Sequence, residues 1–200
     1  HELPNQAETM GGFTAYSATV AAPEDLPVLL AEAFSFFGQG RARPVHIALP
    51  LDLMTVDGPW QTLPALSNAP ARNGLDMPAL ARAAALLGQA ERPVLILGGG
   101  AIDCGAAALA IAERIGAAVL TTIAGKGIIP DDHRLHAGST LTTPAGRRLA
   151  EDADVVLVLG SELAASDTWQ KPLCFAGRLI RVDIDAAALR SHPTAEIALE

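Results

Sequence analysis

Residues Pro93 to Gly100 read Pro-Val-Leu-Ile-Leu-Gly-Gly-Gly, and no other stretch limits the fold of this chain as strongly. A short apolar run bounded by a proline and a glycine cluster fits a strand buried on both faces, as the strands of a parallel sheet are. Three glycines at its carboxyl end let another backbone, or a ligand's phosphate, approach without Cβ interference. A helix is expected from about Asp103. The residues leave two readings open here, a phosphate or nucleotide cradle and a plain tight turn. The dinucleotide fingerprint G-x-G-x-x-G is not completed, because Asp103 stands at its third glycine. An NAD site also needs an acid at the end of the next strand, and Thr121 and Thr122 stand there.

The surrounding residues repeat the strand–helix rhythm. Asp76 is placed to cap a helix whose Leu80, Ala84 and Leu87 share a face, with Gly88 near its end. The helix after the glycine turn points Ala108, Ile111, Ala112 and Ile115 inward and stops at Gly116. Ala118–Thr122 forms the next strand, Thr143-Pro144 opens a helix to about Glu151, and Val155–Leu159 is a strand ending at Gly160-Ser161. Leu179–Asp183 is the last clear strand, and Asp185 suits the cap of a following helix. Connections this short predict right-handed βαβ units and an α/β fold, a doubly wound parallel sheet of Rossmann-like type.

Upstream, residues 1–17 are polar and irregular. Leu26, Leu29, Leu30, Ala33, Phe34 and Phe37 then form one helical stripe that Gly38 would end, and Pro44 to Pro50 reads as a strand. Residues 1–54 thus give one helix and one strand, a remnant of another α/β domain. Residues 55–75, with Pro59, Pro64, Pro70, Gly58 and Gly74, read as a linker, and 76–200 as the central α/β domain. The chain begins at His1 without Met and ends at Leu199-Glu200; a piece of a longer protein is expected, and the residues leave open whether the last two are native or a cloning remnant.

Fourteen basic residues against 22 acidic ones give a net charge of −8, which argues against nucleic acid or an anionic membrane as partner. No run approaches the roughly 20 apolar residues of a membrane span, and Cys104 and Cys174 form neither a disulfide framework nor a zinc pattern. A cytoplasmic location is expected. His46 reads as a hydrogen-bonded core histidine, His133 and His136 as solvated loop residues, and Cys104 as an inert buried thiol. Ser139 and Ser161 lack a nucleophile elbow, and Lys126 lacks the P-loop spacing. Gly160-Ser161-Glu162, with Asp167, Thr168 and Trp169 behind it, either lines a groove or turns the chain. No catalytic or metal-binding constellation emerges.

The order of these motifs resembles a known family. Arg92 to Ala101, Thr121-Thr122 with Gly125 to His133, Val155 to Ser161 and Ile180 to Asp185 are similar to the central domain of thiamine-diphosphate-dependent enzymes. Acetolactate synthase, pyruvate oxidase and the 2-oxo acid decarboxylases belong to that family. Glu32-Ala-Phe34, Gly40-Arg41 and Pro44 to Asp52 resemble the end of its pyrimidine-binding domain. The resemblance implies a full-length enzyme that uses thiamine diphosphate and Mg²⁺ on a 2-oxo acid, with decarboxylation or carboligation as the reaction. The cofactor acts in such enzymes as an ylid, and the protein positions it. Its activating glutamate and its Gly-Asp-Gly motif lie in domains this chain lacks, so the chain alone is expected to be inactive. The resemblance also implies a homodimer or homotetramer, and FAD, ADP or nothing on the central domain. A nucleotide there would meet Gly98, Gly99, Gly100, Thr121, Thr122, Gly160, Ser161 and Asp183. An FAD-binding member of the acetolactate synthase or pyruvate oxidase type is one alternative; a stand-alone nucleotide-binding regulatory module is another. Gly160-Ser-Glu-Leu-Ala-Ala-Ser-Asp167 resembles the decarboxylase-type members more than the flavin-binding branch.

Overall fold

A computed structural model describes residues 3–37, 40–57, 74–169 and 171–200. The chain divides into two compact units, His1–Arg72 and Asn73–Glu200. Gly38, expected to end the first long helix, and most of the expected linker lie outside the described residues.

The first unit holds more structure than a helix and a strand. Helix α1 (Gln6–Gly11) is capped by Asn5, whose side chain accepts the Glu8 amide, and strand β1 (Tyr16–Thr19) follows. Helix α2 (Leu26–Ser35) leads to β2 (Val45–Ala48), which pairs with β1 in parallel, Tyr16 opposite Val45. Strand β1 escapes sequence reading because Tyr-Ser-Ala-Thr has neither an apolar run nor a clean alternation. Tyr16 donates to the Glu32 carboxylate at 2.7 Å; burial, then this anionic acceptor, push its phenol up to about 12. His46 is a hydrogen-bonded histidine, its Nδ1 lying 3.0 Å from Ser17 Oγ. The α2 stripe is only partly used: Ala33 is buried, whereas Phe34 and Phe37 remain exposed.

The second unit is built on a six-stranded parallel sheet. Helix α3 (Met77–Gly88) starts on Asp76, whose carboxylate accepts the Ala79 amide, and feeds β3 (Pro93–Leu97). A 3₁₀ turn over Gly99–Cys104 precedes α4 (Gly105–Ile115), so the α-helix begins later than expected from Asp103. Gly116 stops α4 in the left-handed conformation, φ +69°, and β4 (Ala118–Thr121) follows. Then come β5 (His136–Gly138), α5 (Pro144–Glu151), β6 (Val155–Leu159), the short α6 (Ala165–Thr168), β7 (Arg178–Val182), α7 (Ala186–Arg190) and β8 (Ile197–Leu199). Thr143 caps α5, and Asp185 caps α7 by accepting the amides of Ala187 and Ala188.

The strand order is β5-β4-β3-β6-β7-β8, so the chain doubles back between β3 and β6 in the doubly wound manner. Alternate residues of the central strands feed the two faces. Leu95, Leu97, Val119, Leu157 and Ile180 meet Ala79, Ala83, Leu86 and Leu87 of α3 and Ala108 and Ala112 of α4. Val94, Ile96, Leu120, Val156, Val158 and Leu179 face the other way, with Ala150 of α5. Burying Leu95, Ile96 and Leu97 completely contributes about 2 kcal/mol each.

Helix faces differ in detail from expectation. Leu80 and Ile111 are exposed, and α3 buries Ala79, Ala83, Leu86 and Leu87 instead of a Leu80–Ala84–Leu87 face. An alanine- and leucine-rich helix offers several overlapping apolar stripes, and close approach to a flat sheet selects the one with small residues toward the sheet. Strand β8 was not anticipated; Leu199 is buried in it and its carbonyl accepts the Asp183 amide at 3.1 Å. Cys104 and Cys174 are both free and exposed, against the expectation of a buried Cys104 thiol.

One acid ties the open end of the sheet. Asp154 accepts the amides of Glu91 at 2.6 Å and Arg92 at 2.9 Å, fixing the connection from α3 to β3. Desolvation raises its pKa, but the backbone donors outweigh that and hold it below its usual value. A folded-state pKa below the unfolded one means stability present above the ordinary carboxylate range, about 4, and lost as pH falls through the folded value. Asp154→Asn is therefore expected to flatten the acid limb of stability against pH, measured as urea midpoints from neutral to acidic pH.

Candidate functional site

The carboxyl ends of β3, β4, β6 and β7 collect every binding residue expected from the sequence. Ligands of open α/β sheets settle in the crevice where strand order reverses, here between β3 and β6. In this chain that crevice is closed by backbone. The Gly98 amide donates to Leu159 O at 2.8 Å and the Gly100 amide to Gly160 O at 3.1 Å. A Cβ on Gly160 would stand 2.6 Å from Gly100 Cα, and Gly160 itself has φ +61°. Gly99 lies against Ala124, 3.1 Å from where its Cβ would be. Backbone packing of β3 against β6 thus accounts for the glycines that a phosphate cradle would otherwise explain. With the amides of Gly98 and Gly100 already committed, the turn does not fit a diphosphate of FAD or ADP seated in the dinucleotide manner.

The other expected residues are largely turned to internal bonding. Ser161, Thr122 and Asp183 are all buried. Ser161 Oγ accepts the Leu163 amide at 3.0 Å, Thr122 Oγ1 accepts the Gly125 amide at 3.2 Å, and Asp183 Oδ1 accepts the Asp185 amide at 3.0 Å. Beneath them lies Arg181, a residue the sequence reading passed over. It is fully buried in β7, its Nη2 donating to Ser161 O at 3.2 Å and its Nη1 lying within 3.5 Å of Ser191 O, Ser191 Oγ and Pro193 O. An arginine inside an otherwise apolar strand was the available signal. Its fork pins the turn after β6 to the segment after α7.

Beside the closed crevice, at the end of β4, a cavity of about 170 Å³ remains. Thr121, Thr122, Ile123, Ser139, Leu141, Thr142, Asp167 and Trp169 line it. Thr121 Oγ1 and Ser139 Oγ share a hydrogen bond of 2.8 Å. Asp167 lies in the single turn of α6, and the backbone of Ile123 and Ala164 hydrogen-bonds its carboxylate. Desolvation, the largest influence, lifts its pKa above the usual value, and the negative Glu162 adds to that. Leu163 and Trp169 both have positive φ, +51° and +59°, a conformation that costs non-glycine residues on the order of 1–3 kcal/mol. Thr121 and Thr122 belong to this cavity; Gly98, Gly99, Gly100, Gly160, Ser161 and Asp183 do not line it.

His136 is buried rather than solvated, and His133 is partly covered. His133 Nε2 lies 3.2 Å from Glu113 Oε1, and His136, in β5, keeps only 4% of its side chain exposed and faces Asp131 at 3.6 Å. Neighbouring strand β4 covers what the sequence presents as a loop. Among the described residues, no group of three His, Cys, Asp or Glu side chains could hold a metal ion.

Comparison with known proteins places these features in context. The model of the thiamine pyrophosphate enzyme central domain matches residues 80–200. The chain is 40% identical over 199 residues to the probable 2-ketoarginine decarboxylase AruI of Pseudomonas aeruginosa, covering 100% of this chain and 36% of that protein. It is 30% identical over 193 residues to the acetolactate synthase isozyme 1 large subunit of Escherichia coli, covering 94% of this chain and 34% of the relative. Against the glyoxylate carboligase of Escherichia coli O157:H7 it is 32% identical over 180 residues, with 84% and 30% covered. The chain spans about a third of the length of these relatives. An X-ray structure of a "putative thiamin diphosphate-dependent enzyme" from Mycobacterium smegmatis shares the fold, with a TM-score of 0.75 at 24% identity over 98% of this chain and 38% of that one.

Proposed function

This chain belongs to the thiamine pyrophosphate enzyme family, whose central domain it carries over residues 80–200, and from that premise we propose that it is the middle portion of a 2-oxo acid decarboxylase. On this reading residues 1–54 are the end of the pyrimidine-binding domain, 55–75 the linker and 76–200 the central domain. The 40% identity to a probable 2-ketoarginine decarboxylase across the whole chain carries the reading and makes a guanidino-bearing 2-oxo acid the favoured substrate. Thiamine diphosphate, when bound, supplies the electron sink for loss of carbon dioxide. Residues outside this chain hold it and its Mg²⁺.

The role of the chain's own residues is structural and positional. Gly98, Gly100 and Gly160 lock β3 to β6, and Arg181 fixes the turn that leads to Asp167 and Trp169. Large apolar side chains left exposed, Val28, Phe34 and Phe37 among them, suit burial against further domains or subunits of a homodimer or homotetramer. Two exposed thiols suit a reducing, cytoplasmic setting. Among the described residues, no helix is long and apolar enough to cross a membrane.

The test is release of carbon dioxide by the full-length protein, supplied with thiamine diphosphate and Mg²⁺, across a panel of 2-oxo acids. The expected result is cofactor-dependent release with the highest kcat/KM for 2-ketoarginine. No cofactor-dependent release from any 2-oxo acid would overturn the reading.

A further inference from the structure

The cavity at the end of β4 contains a carboxylate, Asp167, for which no cationic partner stands among the described residues. The backbone groups of Ile123 and Ala164 bond Asp167, and among the described residues the charge acting on it is the like charge of Glu162. Next to it stands Trp169, 74% exposed, its ring available to a ligand. The hydroxyl-bearing residues Thr121, Ser139 and Thr142 also line the cavity. At about 170 Å³ the space is smaller than the roughly 300–1,000 Å³ that whole ligands occupy, so it suits one end of a ligand. A desolvated carboxylate beside an aromatic face is the combination that takes a planar cation, through paired N–H···O bonds and stacking.

We propose that this cavity receives the guanidinium end of the substrate, with Asp167 accepting its N–H groups and Trp169 lying against its face. The proposal rests on the 2-oxo acid decarboxylase reading and adds to it the residues that select the cationic tail. Nothing covalent happens here. The pocket orients one end of the substrate while bond cleavage takes place at the other.

Asp167→Asn and Trp169→Ala test this in the full-length enzyme, with 2-ketoarginine compared against its uncharged ureido counterpart, the 2-oxo acid derived from citrulline. Loss of a charge-assisted contact corresponds to a roughly 10–100-fold rise in KM for the guanidino acid in Asp167→Asn. The ureido acid, which has N–H donors but no charge, should lose far less, so that the ratio of kcat/KM between the two acids falls; a general folding defect would lower both equally. Trp169→Ala should weaken the guanidino acid selectively as well, by about 3–10-fold. If wild type prefers the guanidino acid and either variant keeps that preference, or loses both substrates equally, the pocket assignment is wrong while the decarboxylase reading stands. If wild type decarboxylates other 2-oxo acids and shows no preference for the guanidino one, both the substrate reading and the assignment fall.

Discussion

Gly160→Ala is expected to abolish cooperative folding of the second unit. The methyl group would enter 2.6 Å from both Gly100 Cα and Gly100 C and 2.8 Å from Ala101 N, all backbone atoms. Those atoms have little freedom to retreat. Gly98 and Gly100 donate to the carbonyls of Leu159 and Gly160, and the Gly160 amide donates to Val182 O at 2.8 Å. Relief therefore means separating β3 from β6 at the centre of the sheet. The left-handed φ of +61° adds strain for any residue with a Cβ. Overlap and strain together reach about 4 kcal/mol, a large fraction of the roughly 5–15 kcal/mol that stabilises a typical domain. Gly88→Ala is the control, since a Cβ there meets nothing within 4 Å and the position is helical. It should leave the urea midpoint unchanged or slightly raised. A Gly160→Ala protein with the wild-type midpoint would show that β3 and β6 are not locked together.

Arg181→Met is expected to cost about 3 kcal/mol. Methionine fills much of the volume but leaves the carbonyls of Ser161, Ser191 and Pro193 without their donor in a buried place. Lysine keeps the charge but not the planar fork that spans Ser161 and Ser191, so Arg181→Lys should fall between, at about 1–2 kcal/mol. Thermal and urea unfolding of the three proteins would rank wild type above Arg181→Lys above Arg181→Met. The consequence for function follows from position: the carbonyl that Arg181 holds belongs to Ser161, two residues before the strained Leu163 and six before Asp167. A methionine variant that matches wild type in stability would mean that these bonds add nothing to the fold.

What could be read in advance follows from physical scale. Strands β3 and β6 announce themselves because central parallel strands are buried on both faces and must be apolar throughout. Asp76, Thr143 and Asp185 announce their helices because a cap needs only local geometry. Strands β1 and β5 are short and polar or glycine-containing, β8 is an apolar run of only three residues, and pairing with a neighbour is what makes them strands. The glycine turn was correctly seen as a place of close approach, but what approaches is Gly160, sixty residues later in the chain. The cavity was harder still. Thr121, Ser139 and Asp167 lie on three separated segments, and their meeting depends on how β4, β5 and the turn after β6 stack. Asp167 and Trp169 stood in the sequence as groove or turn, with nothing local to choose between the two.

If this chain is the middle portion of a thiamine-diphosphate enzyme, as proposed, the cofactor is held by residues outside it. Titration calorimetry with thiamine diphosphate and Mg²⁺ tests it most directly, on the full-length protein and on this chain alone, each verified as folded by circular dichroism. Binding is expected for the full-length protein and none for the chain; micromolar binding by the chain, or none by the full-length protein, would contradict the claim.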